Sequence, residues 1–301
     1  MNSYNKCGLC PRDCKVNREE NQLGICKVSS KLKVARAALH FWEETCISGT
    51  KGSGAVFFSG CSLHCVFCQN EPIAQGIVGK EISRERLVEI FLELQEKEAN
   101  NINLVTPGQY VPDIIWSVEQ ARAQGLHIPI VYNTSSYEKV DTIKSLEGIV
   151  DVYLPDFKYW DSKLAARYSK APDYPEVAKA AIAEMVRQQP EVLFYEKDEQ
   201  ELMKKGVMVR QLLLPGQLQD AKNIVKYLYD TYGNQIYLSL MSQFTPLPHV
   251  EKYPELNRKV SKSTYEKYVD YAIEIGVENG YIQEEDVAEE SFIPLFDNEG
   301  V

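Results

Sequence analysis

The chain has 301 residues, 44% of them hydrophobic and 25% charged, the composition of a globular protein long enough to bury a sizeable core. Its 33 Lys and Arg stand against 43 Asp and Glu, and the formal net charge of −10 argues against a nucleic-acid partner, because backbone phosphates would be repelled. No apolar run approaches the ~18–20 residues that cross a bilayer. No apolar stretch follows the first residues either, so neither a membrane span nor a signal peptide is expected, and the chain is read as cytoplasmic.

Taken in chain order, apolar strand-like runs alternate with amphipathic helical ones. Residues 55–59 (AVFFS) predict a strand. Residues 83–98 predict a helix, with Leu87, Ile90, Phe91 and Leu94 on one face and Ser83 as its cap. Residues 102–106 (INLVT) predict a second strand, and 112–124 a second helix closed by Gly125. A third pair follows at 128–132 (IPIVY) and 138–146, then a fourth strand at 149–154 (IVDVYL). Residues 175–189 read as helical and 192–195 as an extra hairpin strand. The fifth strand is 206–214 (GVMVRQLLL) with a helix at 217–231, and the sixth is 236–240 (IYLSL). A closing helix covers 263–278, stopped by Asn279 and Gly280, and 283–301 reads as an acidic tail, packed on the surface or disordered.

Strands that are apolar throughout, each followed by a helix, make a parallel sheet covered by helices. Six such units suit an α/β protein built as a partial (β/α)6 TIM-like barrel, with an open doubly wound sheet as the competing architecture. The expected organisation is a small N-terminal cysteine-rich extension over 1–50, the barrel over 51–250, and a C-terminal helix and tail over 251–301.

All eight cysteines lie in the first quarter of the chain. In a reducing compartment such crowding points to metal ligands before disulfides. Directly after the first predicted strand stands Gly60-Cys61-Ser62-Leu63-His64-Cys65-Val66-Phe67-Cys68-Gln69-Asn70. Three thiols at these spacings can share a cuboidal iron–sulfur cluster and leave one iron without a protein ligand, the open position that substrate chemistry needs. The alternative is a zinc knuckle completed by His64 or a fourth cysteine. Further upstream, Cys7, Cys10, Cys14 and Cys26 make a second complete ligand set, either for structural zinc or for an auxiliary iron–sulfur cluster. Cys46 is unpaired by this count and reads as a buried apolar thiol. The 18 tyrosines read as core and surface aromatics, and of the histidines only His249, after the sixth strand, is a candidate for substrate contact.

The pattern Cys-x3-Cys-x2-Cys, with Phe67 just before the last cysteine, resembles the signature of the radical S-adenosylmethionine (radical SAM) superfamily. That resemblance implies a 4Fe–4S cluster on Cys61, Cys65 and Cys68, whose open iron binds the amino and carboxylate groups of SAM. It implies one-electron cleavage of the sulfonium to a 5′-deoxyadenosyl radical that abstracts hydrogen, with Phe67 lining the adenine pocket. The polar residues at the later strand ends are similar to the pyruvate formate-lyase activating-enzyme branch. Matched by position, Asn133 and Thr134, then Asp156 and Lys158, then Arg210 would surround SAM.

Physical chemistry asks for the same set, since a sulfonium seeks a carboxylate (Asp156) and the SAM carboxylate seeks fixed cations (Lys158, Arg210). Two departures stand out. Where the family carries a glycine-rich stretch with a Glu that binds the SAM amino group, this chain has Leu104-Val105-Thr106-Pro107-Gly108-Gln109-Tyr110, which offers Thr106 and a close-approach glycine at Gly108 but no Glu. Asn133 stands where that branch has an Asp. The Cys-x2-Cys-Pro-Arg-x-Cys opening resembles uncharacterised activating-enzyme-like members. The resemblance further implies an electron donor of flavodoxin or ferredoxin type and a protein substrate such as a glycyl radical enzyme. A radical SAM enzyme acting on a small molecule or peptide, or a non-catalytic iron–sulfur or zinc protein, are the other readings. No catalytic residue beyond the cluster ligands is assigned.

Overall fold

The computed structural model describes residues 4–282 and 294–301. In chain order the strands are β1 Leu32–His40, β2 Ser53–Phe58, β3 Lys80–Ile82, β4 Ile102–Val105, β5 Ile130–Thr134, β6 Val152–Pro155, β7 Leu193–Lys197, β8 Gln200–Leu212, β9 Tyr237–Met241 and β10 Gly280–Ile282. The helices are α1 Thr45–Ser48, α2 Glu71–Ala74, α3 Arg84–Glu96, α4 Val111–Ala123, α5 Val140–Lys144, α6 Ser162–Ser169, α7 Tyr174–Gln188, α8 Leu218–Tyr232 and α9 Lys262–Glu274.

The six strands expected from the sequence are β2, β4, β5, β6, β8 and β9, and they lie side by side in that order, each pair parallel. Each new strand joins the same edge. A doubly wound sheet would reverse direction at a switch point, so the partial-barrel alternative is the one realised. The sheet does not close: its order runs β10-β9-β8-β6-β5-β4-β2-β1-β3. Every residue of β2, β4 and β6 is buried, as expected of strands covered on both faces.

α3 shows how the sequence sets an element. The Ser83 side chain accepts from the Arg86 amide at 3.1 Å and caps the first turn. Leu87, Ile90, Phe91 and Leu94 are at most 1% exposed and pack the helix on the sheet. Burial of each such side chain contributes about 2 kcal/mol.

Several elements differ from the sequence reading. β1 is an antiparallel strand that pairs with β2 and β3. Its sequence, LKVARAALH, mixes charged residues and alanines among the apolar ones, and only pairing with the neighbouring strands makes it extended. α9 ends at Glu274 rather than near Glu278, because Gly276 takes a left-handed φ of +104°; Gly280 then starts β10, which adds a further parallel strand beside β9. The hairpin reading holds, with β7 antiparallel to β8. Part of the acidic tail lies outside the described residues. Its last stretch packs on β1: the Ala37 amide donates to Glu299 O at 2.9 Å, the Asn298 amide to Ala35 O at 3.1 Å, and Phe296 meets Phe57 edge-on.

Among the described residues no helix is long and apolar enough to cross a membrane. All eight cysteines are free thiols. Cys46 is 2% exposed inside α1. Seven tyrosines, among them Tyr110, Tyr132 and Tyr159, are fully buried core residues, while His249 sits exposed on a short turn.

Candidate metal and cofactor site

The loop from Gly60 to Asn70 leaves the C-terminal end of β2, the rim where barrel active sites are built. Gly60 has φ +88°, and a Cβ there would stand 2.7 Å from Cys26 O, so the turn admits glycine alone. The loop is tied on several sides. The Gly60 amide donates to Ile73 O at 2.7 Å and the Val66 amide to Tyr168 O at 2.8 Å. From the N-terminal extension, Arg12 donates to Ser62 O at 2.9 Å and, with its other nitrogens, to Ser169 O and Lys170 O at the end of α6.

The sulfurs have defined surroundings. Ser169 Oγ donates to Cys65 Sγ at 3.1 Å and itself meets Tyr159 OH at 2.7 Å, while the Leu63 amide points at Cys61 Sγ from 3.4 Å. Burial pushes the Cys61 and Cys68 thiols up, and the neighbouring cysteine charges add to it. Such thiols give up their protons when a metal takes the place of the proton. Among the described residues, no three His, Cys, Asp or Glu side chains converge as the ligands of one metal ion would. A cuboidal cluster makes no such demand, because each thiolate binds a different iron and the sulfurs stay farther apart. His64 Nε2 is turned to Ile25 O at 2.7 Å. The donor set fits a three-thiolate iron–sulfur cluster.

The other site residues fall into three groups. Asp156 and Lys158 follow β6 and form an ion pair at 2.6 Å. Burial alone would lower the Lys158 ammonium, but Asp156 and the Cys65 charge more than offset it and hold it above its ordinary value. A fixed cation therefore stands beside the cysteine loop. Phe67 is buried against Tyr159, Tyr168 and Phe244, with ring centres 6.2, 6.5 and 6.1 Å away.

Thr106 and Thr134 form the second group, with Cys61. Thr106 has a left-handed φ of +56°, its amide donates to Asn133 O at 2.9 Å, and its carbonyl accepts from Gln109 Nε2 at 2.8 Å. The same Gln109 amide group reaches Ser59 O and Gly60 O at 3.0 Å, joining the β4 loop to the base of the cysteine loop. Thr134 donates to Glu138 Oε1 at 2.8 Å.

Asn133 and Arg210 make up the third group, and both turn to a pair of carboxylates that sequence reasoning missed. Arg210 Nε donates to Glu44 Oε1 at 2.9 Å, Nη2 to Glu44 Oε2 at 2.5 Å, and Nη2 also pairs closely with Glu43. Asn133 Nδ2 points to Glu43 Oε1 at 3.4 Å. Both carboxylates come from the segment between β1 and α1, which no local pattern links to β8; the guanidinium of Arg210 is thus engaged within the protein.

The N-terminal cysteines lie close to the site. Burial first, and then the charges of Cys26, Glu138 and Cys14, push Cys10 up to about 12. Arg18, 1% exposed, donates to the carbonyls of Val28, Gln109 and Ser29 and fixes this extension to the β4 loop. Among the described residues these four thiols do not converge on a single ion either. Between the extension and the strand ends is a small cavity of about 20 Å³, lined by Cys10, Cys26, Cys61, Thr106, Gly108 and Glu138, among others.

No protein-family model matches the chain. It is 27% identical over 278 residues, 90% of the chain and 75% of the relative, to the uncharacterized protein MJ0674 of Methanocaldococcus jannaschii. Among solved structures it is similar to Streptococcus suis SuiB bound to S-adenosylmethionine, with a TM-score of 0.51 and 13% identity over 74% of this chain and 48% of that one. HydG, a maturase of the [FeFe]-hydrogenase, gives a TM-score of 0.52 and 14% identity over 77% of this chain and 52% of that one. The fold is that of the radical SAM enzymes. The chain spans about half the length of these structures, and in it the cysteine loop follows the first strand of the parallel series.

Proposed function

We propose that the chain holds a 4Fe–4S cluster on Cys61, Cys65 and Cys68, binds S-adenosylmethionine beside it, and acts as a radical SAM enzyme. The observation that carries this reading is a three-thiol loop at the C-terminal end of β2 with the Asp156–Lys158 pair next to it. With SAM bound, the cluster would supply the electron that splits the sulfonium and yields a hydrogen-abstracting 5′-deoxyadenosyl radical.

The remaining work belongs to the chain's own residues. Ser169 donates to Cys65 and holds part of the sulfur charge. Lys158 offers a cation and Asp156 a carboxylate to the two charged ends of SAM. Phe67, packed among aromatics, gives a dry wall for the adenine. Arg210, bound by Glu43 and Glu44, shapes the barrel interior in this reading.

The finer reading is an activating enzyme that makes a radical on a protein, reduced by a flavodoxin- or ferredoxin-type donor. The sheet's failure to close supports it, since an open mouth can admit a peptide loop. In this reading the four N-terminal cysteines hold zinc or a second iron–sulfur cluster, and the chain works in the cytoplasm, where thiols stay reduced. The test is anaerobic reconstitution with iron and sulfide, reduction, addition of SAM and an assay for 5′-deoxyadenosine. Product from the wild type and none from Cys65→Ala is expected. A reconstituted protein with zinc on these cysteines and no iron would overturn the reading.

A further inference from the structure

β3 covers the outer edge of β1 only from Leu32 to Val34. Beyond it, the chain's last residues take the same edge: the Ala37 amide donates to Glu299 O and the Asn298 amide to Ala35 O. They form a hook built by local turn chemistry. The Glu299 amide donates to Asp297 Oδ1 at 3.1 Å and the Val301 amide to Asn298 O at 3.2 Å. Asn298 and Gly300 take left-handed φ values of +63° and +73°. A Cβ on Gly300 would run into Ala37 O, so the hook seats only with glycine there.

Phe296 anchors the hook. Its ring centre lies 5.6 Å from that of Phe57, and it packs with Ala35, Ile73, Val78 and Val105. Phe57 and Val105 alternate with Val56, Phe58 and Leu104, which belong with Leu87 and Phe91 of α3 on the other face of the sheet. The Phe296 ring therefore stands on the barrel's inner face. It is also beside the base of the cysteine loop, because Ile73 O accepts from the Gly60 amide.

The cradle is basic in a chain of net charge −10. Arg36 pairs with Asp297 at 3.1 Å and with Glu299, and donates to Leu295 O at 3.0 Å. Lys80 donates to Val301 O at 3.0 Å and Arg86 to Gly300 O at 3.3 Å. Asp297 and Glu299 are both more than half exposed, and ion pairs so exposed hold weakly. One ring, a few main-chain bonds and weak pairs are all that fix the segment.

We propose that the outer edge of β1 is a docking groove for a protein substrate, filled in the free protein by the chain's own residues 296–301. The partner it fits is a peptide segment with an aromatic side chain followed by an acidic turn and a glycine at the place of Gly300. Main-chain bonds to Ala35 and Ala37 would hold such a segment, Arg36 would read its charge, and the pocket at Phe57 would take its ring. This rests on the reading of the chain as an enzyme that acts on a protein. The test needs neither SAM nor its cleavage, so a failed docking assay and a failed 5′-deoxyadenosine assay are separate results.

The test uses the cluster-loaded full chain and a synthetic peptide spanning residues 294–301. In the wild type, millimolar peptide is expected to speed hydrogen exchange of the chain's own Asn298 and Val301 amides, because it displaces the hook while the barrel stays folded. Gly300→Ala unseats the hook. It is expected to bind the peptide at least about 10-fold more tightly than wild type does, since the tethered segment no longer competes at high effective concentration. The same peptide with Phe296→Ala is expected to bind about 10- to 100-fold more weakly, the worth of one buried aromatic. If Gly300→Ala does not fold, Phe296→Ala in the chain unseats the hook without backbone strain and serves in the same titration. Exchange of the hook amides that peptide leaves unmoved, or peptide binding no tighter to the unseated variant than to wild type, would overturn the proposal and leave the segment a fixed cover of the sheet edge. Iron content and thermal unfolding show that each variant is folded and loaded.

Discussion

At the scale of single residues, the site is a set of charges whose surroundings decide their state. Burial, eased by Thr134 and Tyr132, lifts Glu138 from an ordinary 4.5 to about 7. The unfolded chain therefore loses this proton near pH 4.5 and the folded chain only near pH 7. Between those values stability falls as pH rises, and above about 7 the loss is constant. Gln carries no such charge. In cluster-loaded, SAM-free protein, Glu138→Gln is expected to be more stable than wild type at pH 8, by up to about 3 kcal/mol, with the gain gone at pH 4. Denaturant unfolding at the two pH values measures it. The three-cysteine loop was legible in the sequence because it is a local spacing. Glu138 was not, since it reads as the first residue of a helix over 138–146, whereas α5 starts at Val140 and leaves the carboxylate free to turn inward.

At the scale of elements, apolar runs read well and mixed ones did not. β2, β4 and β6 are apolar and fully buried, so their sequences admit little else. β1 takes its form from β2 and β3, and that dependence on distant residues leaves no local signature in Lys33, Ala35 and Arg36. Caps are local and therefore legible. Ser83→Ala removes the acceptor for the Arg86 amide and is expected to cost about 1 kcal/mol of stability, with cluster binding unchanged. Chemical denaturation with the iron content determined in parallel checks both halves of that statement.

At the scale of the whole molecule, long-range ties hold the site together. Arg12 joins the N-terminal extension to the cysteine loop and to α6, and Arg210 joins β8 to the segment between β1 and α1. These ties connect residues from 50 to 167 positions apart, and no pattern in the chain announces them. Arg210→Met would strand Glu43 and Glu44, both under 10% exposed, as unpaired buried carboxylates. The expected loss is about 3–5 kcal/mol, read from denaturant midpoints. Replacing Glu43 and Glu44 together with Arg210 by apolar residues is expected to recover much of it. If Arg210→Met instead left stability intact and abolished only SAM binding, its role would lie with the cofactor and not the barrel interior.

The central claim is a cluster with three protein thiolates and one open iron position. The most direct measurement is electron paramagnetic resonance of the reduced, reconstituted protein before and after SAM is added. The account predicts a reduced 4Fe–4S signal that changes shape on adding SAM, and loss of the SAM-sensitive component in Cys65→Ala. A signal that SAM leaves unmoved, or one retained in full by Cys65→Ala, would contradict it.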